Sequence, residues 1–229
     1  MKFGMSEKKA LTIALAGNPN TGKSTVFNAL TGLSQHTGNW PGKTVVNAQG
    51  NFSYRKKDFL LVDLPGTYSL IANSPDEEAA RDFLCFEKPD ATVVVVDATC
   101  LERNLNLVLQ ILEITGRVVV CVNLMDEAER KGIQIDISIL EQELGVPCVG
   151  AIARNKAGFP ELLEKVYGVA TGTVKTNPLQ ITYNQEIEEA VTSLQPNLQS
   201  ILQDRVNPRW AALRLIDGDS AVYNSIVSV

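Results

Sequence analysis

Hydrophobic residues are grouped along the chain in two alternating patterns. Short and nearly continuous apolar runs are typical of strands that are buried on both faces of a parallel sheet. They cover residues 11–16, 59–62, 91–96, 117–122 and 146–151. Between them lie segments such as 101–115, in which leucine and valine recur every three or four residues, as in an amphipathic helix. The alternation predicts an α/β fold with an open, mainly parallel sheet, whose ligands bind beyond the carboxyl ends of the strands.

Weaker patterns predict the remaining elements. Alternating β-type residues over 44–54, followed by a polar tip, predict a hairpin. Ser74, Pro75 and the acids after them predict the start of a helix that extends to about residue 86. Further helices are predicted over 25–31, 136–144 and 159–169. Residues 33–43 are rich in glycine and proline without apolar periodicity, so we expect a loop there.

The composition changes between residues 170 and 178, where threonine, glycine, asparagine and proline dominate. We therefore predict two domains, residues 1–170 and a small all-helical domain over residues 171–229. Its helices are expected over 185–194, 197–203 and 208–216, with Trp210, Leu213 and Ile216 on one buried face. The alternative is that these helices only cap the first domain.

Charge and cysteine content narrow the class of protein. The 229-residue chain has a net charge of −5 and a pI near 5.0, which disfavours direct binding of nucleic acid. Its four cysteines form no C-x-x-C pair, and we expect reduced core thiols; they are Cys85, Cys100, Cys121 and Cys148. The single histidine, His36, excludes a metal site built from several histidines.

No apolar run approaches the ~20 residues that a helix needs to cross a bilayer, so we expect a soluble chain. Lys8 and Lys9, followed by the apolar residues 10–16, imitate a signal peptide. We reject that interpretation because cleavage after Ala16 would remove the first predicted strand.

The most informative stretch runs from Gly17 to Ser24 and fits the phosphate-loop pattern G-x-x-x-x-G-K-[ST]. It lies between a predicted strand and a predicted helix, as that pattern requires. Glycines let successive backbone N–H groups converge on a phosphate at the positive end of the helix. Lys23 would neutralise phosphate oxygens, and the Ser24 hydroxyl would ligate Mg²⁺.

Two further motifs follow predicted strands. Asp63-x-x-Gly66 supplies a carboxylate for Mg²⁺ and a glycine N–H for the γ-phosphate. Asn123-x-x-Asp126 supplies a carboxylate that can accept both the N1–H and the N2–H of guanine, a donor pair that adenine lacks. Thr44, at the end of the glycine-rich segment, would give Mg²⁺ a second hydroxyl. Together they predict Mg²⁺ and GTP or GDP as ligands.

The predicted binding residues form four groups along the chain. They are Gly17, Asn18, Pro19, Asn20, Thr21, Gly22, Lys23, Ser24 and Thr25; Gly42, Lys43 and Thr44; Asp63, Leu64, Pro65 and Gly66; and Asn123, Leu124, Met125, Asp126, Ala151, Ile152 and Ala153. Within these groups we assign hydrolysis to Lys23, Thr44, Gly66 and Asn20, and Mg²⁺ binding to Ser24, Thr44 and Asp63.

These motifs place the chain among small Ras-like phosphate-loop GTPases, and it resembles the cytosolic N-terminal region of the bacterial ferrous iron transporter B (FeoB) family. The most specific strings are His36-Thr-Gly-Asn-Trp-Pro-Gly42, Asp63-Leu-Pro-Gly-Thr-Tyr-Ser-Leu70 and Arg209-Trp-Ala-Ala-Leu-Arg-Leu215. The resemblance implies a GTPase domain and a helical domain at the cytoplasmic face of the bacterial inner membrane. It also implies a membrane part that carries Fe²⁺ and is absent here, and it leaves room for small cytosolic partner proteins and a homo-oligomer.

The sequence departs from common GTPase patterns at Thr67, at Leu124 and at the pair Ile152 and Ala153, and Asn20 adds a further expectation. Thr67 stands where many GTPases have a glutamine that orients water, so we expect slow hydrolysis. Similar GTPases use an asparagine at the place of Asn20 to hold K⁺, which predicts stimulation by K⁺. Leu124 replaces the usual lysine, and Ile152 and Ala153 replace a Ser-Ala pair. There we expect the Ala153 N–H to donate to guanine O6 and nucleotide release to be altered.

Four functional interpretations remain at this stage. The leading one is a GTP-hydrolysing regulatory domain in which residues 33–43 and 66–74 switch with the nucleotide state. The others are a free-standing GTPase of ribosome or RNA maturation, an ATP-dependent phosphotransferase, and a nucleotide sensor with negligible hydrolysis. The helical extension is not basic, which argues against an RNA-binding role. We expect Glu186, Glu188 and Glu189 to form a solvated face, not an iron site.

Overall fold

The computed structural model describes residues 10–32, 35–39, 46–71, 74–203, 205–219 and 222. Its centre is a seven-stranded sheet with the strand order β2-β3-β4-β1-β5-β6-β7. The strands are β1 (Leu11–Gly17), β2 (Gln35–Asn39), β3 (Val46–Tyr54), β4 (Lys57–Asp63), β5 (Ala91–Asp97), β6 (Val118–Asn123) and β7 (Cys148–Gly150). The neighbouring strands β4, β1, β5, β6 and β7 pair in parallel, and β3 pairs antiparallel with both β2 and β4. The predicted, mainly parallel α/β sheet is confirmed.

Within the described residues, eight α-helices surround or extend this sheet. They are α1 (Lys23–Thr31), α2 (Pro75–Asp82), α3 (Leu101–Ile114), α4 (Met125–Arg130), α5 (Ile137–Leu144), α6 (Phe159–Ala170), α7 (Gln185–Leu202) and α8 (Pro208–Ile216). A π-helical turn over Phe83–Glu87 continues α2, and a 3₁₀ turn over Ala98–Cys100 precedes α3. The predicted start of α2 is confirmed, because the Ser74 hydroxyl accepts a hydrogen bond from the Glu77 N–H at 3.2 Å.

The central strands are covered on both faces, which explains their continuous apolar sequences. Every residue of β6 is buried, and so are the first six of β5. One face packs against α1 and α6 through residues such as Phe27 and Leu162. The opposite face packs against α3 and the C-terminal helices through Ile111 and Trp210, among others. The carboxyl ends of the parallel strands therefore remain available for a site.

The C-terminal helices differ from the prediction in two ways. Residues 185–202 form one helix, although a break at Pro196 was expected. Val191, Leu198 and Leu202 recur at helical spacing on both sides of the proline, and all three are buried. We infer that burial of this stripe outweighs the cost of about 3 kcal/mol for an internal proline. In α8, Trp210 and Leu213 are buried as predicted, but Ile216 is 39% exposed.

The region predicted to be a loop, residues 33–43, contains a strand. Residues 35–39 form β2, which pairs antiparallel with β3 at the edge of the sheet. An edge strand needs backbone pairing on one side only, so it can form without an apolar pattern. Residues 33, 34 and 40–45 lie outside the described residues, so the roles predicted for Gly42, Lys43 and Thr44 concern residues that the structure does not describe.

The cysteines also differ in part from the prediction. Cys85, Cys121 and Cys148 are buried, as expected for core thiols, whereas Cys100 is exposed at the end of the 3₁₀ turn. Burial raises the pKa of the Cys121 thiol to about 12, which keeps it protonated and unreactive at neutral pH.

Candidate functional site

The phosphate loop connects the end of β1 to the start of α1, and its backbone requires glycine at two positions. A Cβ atom on Gly17 would lie 2.5 Å from the Val95 carbonyl oxygen in the neighbouring strand. Gly22 has a left-handed backbone with φ 81°, and a Cβ atom there would overlap the side-chain nitrogen of Asn123. Asn20 is also left-handed, with φ 67°, and its side chain is exposed. Both glycines of the pattern are therefore required because a larger residue would clash with neighbouring strands.

Asn123 ties the phosphate loop to a second loop. It ends β6, is 1% exposed, and donates from Nδ2 to the Thr21 carbonyl oxygen at 2.9 Å. Its Oδ1 accepts a hydrogen bond from the Ala153 N–H at 3.0 Å. Within the phosphate loop, the Thr21 hydroxyl donates to the Asn18 carbonyl oxygen at 2.9 Å. One buried side chain thus fixes two loops that are far apart in sequence.

Asn18 is the polar residue of the loop whose side chain remains unsatisfied. It is 2% exposed, and neither Oδ1 nor Nδ2 has a hydrogen-bond partner in the described part of the chain. Buried amides without partners are uncommon and costly in folded proteins. An unsatisfied amide inside this loop is the kind of group that a bound ligand would satisfy.

Lys23 and Asp63 meet at the mouth of the loop. The parallel pairing of β1 with β4 places Asp63 opposite Leu15, close to the start of α1. Lys23 Nζ donates to Asp63 Oδ1 and, at 2.6 Å, to the Leu64 carbonyl oxygen. Burial raises the pKa of the Asp63 carboxyl, and the Lys23 ammonium opposes that shift. A carboxylate that is partly desolvated here needs a cation beside it.

The segment after Asp63 lies beside the phosphate loop at Gly66. A Cβ atom on Gly66 would lie 3.6 Å from the Cα of Pro19, so the two backbones are neighbours. Thr67 is buried, with 5% of its surface exposed. Ser24 and Thr25, at the start of α1, are exposed. The structure therefore brings three of the four predicted groups of residues to one end of the sheet, and the fourth lies outside the described residues.

A pocket beside the loop contains the second motif. Leu124 has a left-handed backbone with φ 63° and leads into α4, and the Met125 N–H donates to the Ala151 carbonyl oxygen at 3.3 Å. Asp126 lies in the first turn of α4. The pocket is lined by Gly22, Thr25, Asn123, Leu124, Asp126, Glu127, Ile152, Ala153 and Arg154. Most of the residues that were predicted to surround guanine therefore share this one pocket.

One predicted base contact involves an N–H that already has a partner. The Ala153 N–H, predicted to donate to guanine O6, donates to Asn123 Oδ1 in this structure, and its contact with guanine stays a prediction. The backbone of Ile152 pairs with that of Ala157 and closes the loop between them. Arg154, the next residue along the loop, also lines the pocket.

Two residues near the site carried no sequence signal. Gln110 on α3 accepts hydrogen bonds at Oε1 from the Leu70 N–H at 2.7 Å and from the Ser69 hydroxyl at 3.3 Å. The Arg103 guanidinium lies 4.4 Å from the ring centre of Tyr68, which is 46% exposed. Both contacts join the segment after Asp63 to α3, and neither belongs to a recognisable motif.

The sheet topology, the glycine-dependent loop and the Asn123 bridge define a phosphate-loop protein with the fold of the small GTPases. Two family models match the chain: ferrous iron transport protein B over residues 11–166, and the FeoB cytosolic helical domain over residues 183–228. The chain belongs to the ferrous iron transport protein B family.

Individual relatives agree with this assignment. The Fe(2+) transporter FeoB of Methanocaldococcus jannaschii is 44% identical over 214 residues, which cover 93% of this chain and 32% of that protein. An Fe(2+) transport protein A/Fe(2+) transporter FeoB fusion protein of Porphyromonas gingivalis is 39% identical and is covered to 25% of its length. The cytosolic domain of T. maritima FeoB in a GDP form is 37% identical, with a TM-score of 0.85 and coverage of 96% of this chain and 85% of that one.

The chain thus spans about a quarter to a third of the length of these curated relatives. Across the described ranges, no helix is both long and apolar enough to cross a bilayer. The same residues hold no cluster of three or more His, Cys, Asp or Glu side chains that could bind a metal ion.

Proposed function

We propose that this chain binds guanine nucleotides with Mg²⁺ and hydrolyses GTP slowly, as the regulatory GTPase region of a ferrous iron transporter. The observation that carries the proposal is the position of Asn123, which is hydrogen-bonded both to the phosphate loop and to the loop beside Asp126. A phosphate site and a base site are thereby held at a fixed separation, as one nucleotide requires. The solved T. maritima domain in its GDP form is consistent with this.

The phosphate end would use groups that are already in place. Lys23 and the N–H groups of residues 17–25 would bind the phosphates at the start of α1. When Lys23 turns toward a phosphate, Asp63 loses its partner beside the exposed Ser24 hydroxyl. A carboxylate and a hydroxyl are the oxygen ligands that Mg²⁺ prefers, so these residues fit the ion.

Further residues are proposed around Mg²⁺ and the γ-phosphate. Thr44 would give Mg²⁺ its second hydroxyl, and the neighbours of the γ-phosphate would be Gly42, Lys43, Pro65 and Gly66. Bound Mg²⁺ would neutralise charge on the phosphates.

The base end would recognise guanine through Asp126, whose two oxygens can accept the N1–H and N2–H donors. Leu124, Met125, Ala151 and Ile152 would form the walls. The proposed donor to guanine O6 is the Ala153 N–H, which can be shared between Asn123 Oδ1 and the base. A site of this kind rejects a base lacking those donors by ~10⁴ or more.

Hydrolysis is expected to be slow because Thr67 is buried and cannot act as a base. Catalysis would then rest on Lys23, Gly66, the metal ion and an added cation. We propose that Asn20, exposed on the loop, helps to hold K⁺ near the phosphates. Phosphate release with GTP should be faster in K⁺ than in Na⁺ buffer, and the difference should disappear in Asn20→Ala. Equal rates in the two buffers would refute this role.

Loss of the γ-phosphate would be sensed by residues 33–43 and 66–74. The contacts of Ser69 and Leu70 with Gln110 connect the second segment to α3.

We propose a division into a nucleotide domain up to residue 170 and a helical domain over 171–229. We also propose a location at the cytoplasmic face of the membrane and the transporter's own membrane part as the main partner. Small cytosolic proteins and further copies of the chain are additional proposed partners.

A second candidate is a nucleotide sensor with negligible hydrolysis, which the burial of Thr67 favours. One experiment tests both candidates: fluorescent GDP and ADP are titrated into the protein, and phosphate release is followed with GTP and ATP. The GTPase proposal expects binding of GDP over ADP and slow release from GTP only. Binding of GDP without any release above the uncatalysed rate would leave the sensor, and preference for ADP would overturn both.

A further inference from the structure

The carboxylate of Asp126 is covered by an arginine. The side chain of Asp126 is 17% exposed, and both oxygens are individually buried without a hydrogen-bond partner in the described structure. The Arg154 guanidinium contacts Oδ2 as an ion pair but not in hydrogen-bond geometry. Arg130 lies farther away, at 3.8 Å from the same oxygen, and also pairs with Glu127. Arg154 is therefore the group that shields this carboxylate from water.

We propose that the Arg154 side chain competes with the guanine base for Asp126 and thereby slows nucleotide association. The inference rests on the proposed function, because it concerns the same pocket. The N–H donors of guanine must approach the same buried carboxylate, and a guanidinium in contact with Oδ2 fills the space beside that oxygen. Arg154 must move before the base can bind.

The geometry of the loop allows that movement. Ala153 is fixed by Asn123, and the Asn155 N–H donates to the Ile152 carbonyl oxygen at 3.2 Å, so the backbone on both sides of Arg154 is held. The Arg154 side chain itself is 66% exposed. A long side chain on a fixed backbone can leave the carboxylate without disturbing the pocket. The guanidinium of the ion pair is largely exposed to water, which weakens its hold on the carboxylate.

The expected effect is on association more than on dissociation. Only the fraction of molecules with an uncovered Asp126 binds the base, so the apparent association rate equals the intrinsic rate multiplied by that fraction. For an ion pair whose cation is exposed, removal of the arginine should raise the association rate by about two- to fivefold. Dissociation should change less, because the bound base keeps Arg154 away.

The test is stopped-flow binding of fluorescent GDP to the chain and to Arg154→Ala. Lys131→Ala is the matched control. Lys131 is an exposed cation at the end of α4, so its substitution removes the same charge without touching Asp126. We expect faster association in Arg154→Ala only, with a gain that shrinks at high salt because screening weakens the ion pair in the parent protein. An unchanged or slower rate in Arg154→Ala relative to Lys131→Ala would overturn the proposal; slower association would mean that the arginine holds the base.

A second pair of variants shows whether Arg154 acts through Asp126. Asp126→Asn should bind xanthine diphosphate, because an amide N–H can donate to the C2 carbonyl of xanthine. Without the negative charge Arg154 has nothing to cover, so adding Arg154→Ala should leave xanthine nucleotide association unchanged. The same gain in both backgrounds would overturn the proposal. If the unmodified chain binds no GDP, the proposed function itself fails, which is a different result.

Discussion

The phosphate loop and the C-terminal helices are stabilised in opposite ways. The loop depends on backbone angles that need glycine and on the buried hydrogen bonds of Asn123. Helices α7 and α8 bury a stripe that includes Trp210, which is 4% exposed. The difference implies that a change in the loop should alter ligand binding with little effect on stability. A change in the helices should do the reverse.

Polar groups also hold the helical region together and join it to α3. Arg209 donates to both carboxylate oxygens of Glu188, at 2.7 and 2.8 Å, and to the Ile181 carbonyl oxygen at 2.9 Å. The Tyr183 hydroxyl donates to Glu113 on α3 at 2.5 Å. Glu188 is thus part of an ion pair, whereas Glu186 and Glu189 are exposed as predicted.

The largest expected effect tests the stability side of this comparison. Trp210→Ala should lower the free energy of unfolding by about 3–5 kcal/mol, because it leaves a cavity where α8 meets α3. Ile201→Ala is the control, since Ile201 on α7 is 71% exposed and should matter little. Chemical unfolding measures both. At a temperature where the variant is folded, GDP affinity should stay within about twofold of the parent; a large loss would mean that the helical region shapes the nucleotide site directly.

A second prediction tests the binding side. Gly22→Ala should weaken GDP binding at least about a hundredfold, because the new Cβ displaces Asn123 and the backbone is left-handed. Gly32→Ala is matched to it: Gly32 has φ 64° at the end of α1, but no atom lies within 4 Å of a Cβ there. It should cost about 1 kcal/mol of stability and leave binding intact. Equal losses of affinity, measured by fluorescence titration, would show that backbone strain alone matters.

The same contrast explains what the sequence could and could not predict. Gly17, Gly22 and Lys23 were predictable because their roles come from local backbone chemistry that any phosphate loop must satisfy. The uninterrupted α7 was missed because burial of Val191 and Leu198 against the rest of the helical region, a tertiary effect, outweighs the local effect of Pro196. Gln110 could not be found, since its role depends on which loop packs against α3.

The partner of the Ala153 N–H could not be predicted for a related reason. The motif predicts which residues lie near the base, but the hydrogen bond from Ala153 to Asn123 Oδ1 depends on how two loops pack together. Such a tertiary contact leaves no signal in the sequence. The covering of Asp126 by Arg154 belongs to the same kind of detail.

The smallest expected effect concerns pH and sharpens the comparison within the helical region. Hydrogen bonds from Arg209 and from the Tyr183 N–H lower the pKa of Glu188 to about 2, below the value of about 4.3 for an unfolded chain. The carboxylate therefore stabilises the fold above that unfolded value, and this contribution is lost as the pH falls toward 2. The difference in unfolding free energy between the parent and Glu188→Gln should be constant near neutral pH and shrink by roughly half by about pH 3. Glu143→Gln, at an exposed position of α5, serves as the control. A difference that does not depend on pH would mean that Glu188 stabilises the helices by packing and not by charge.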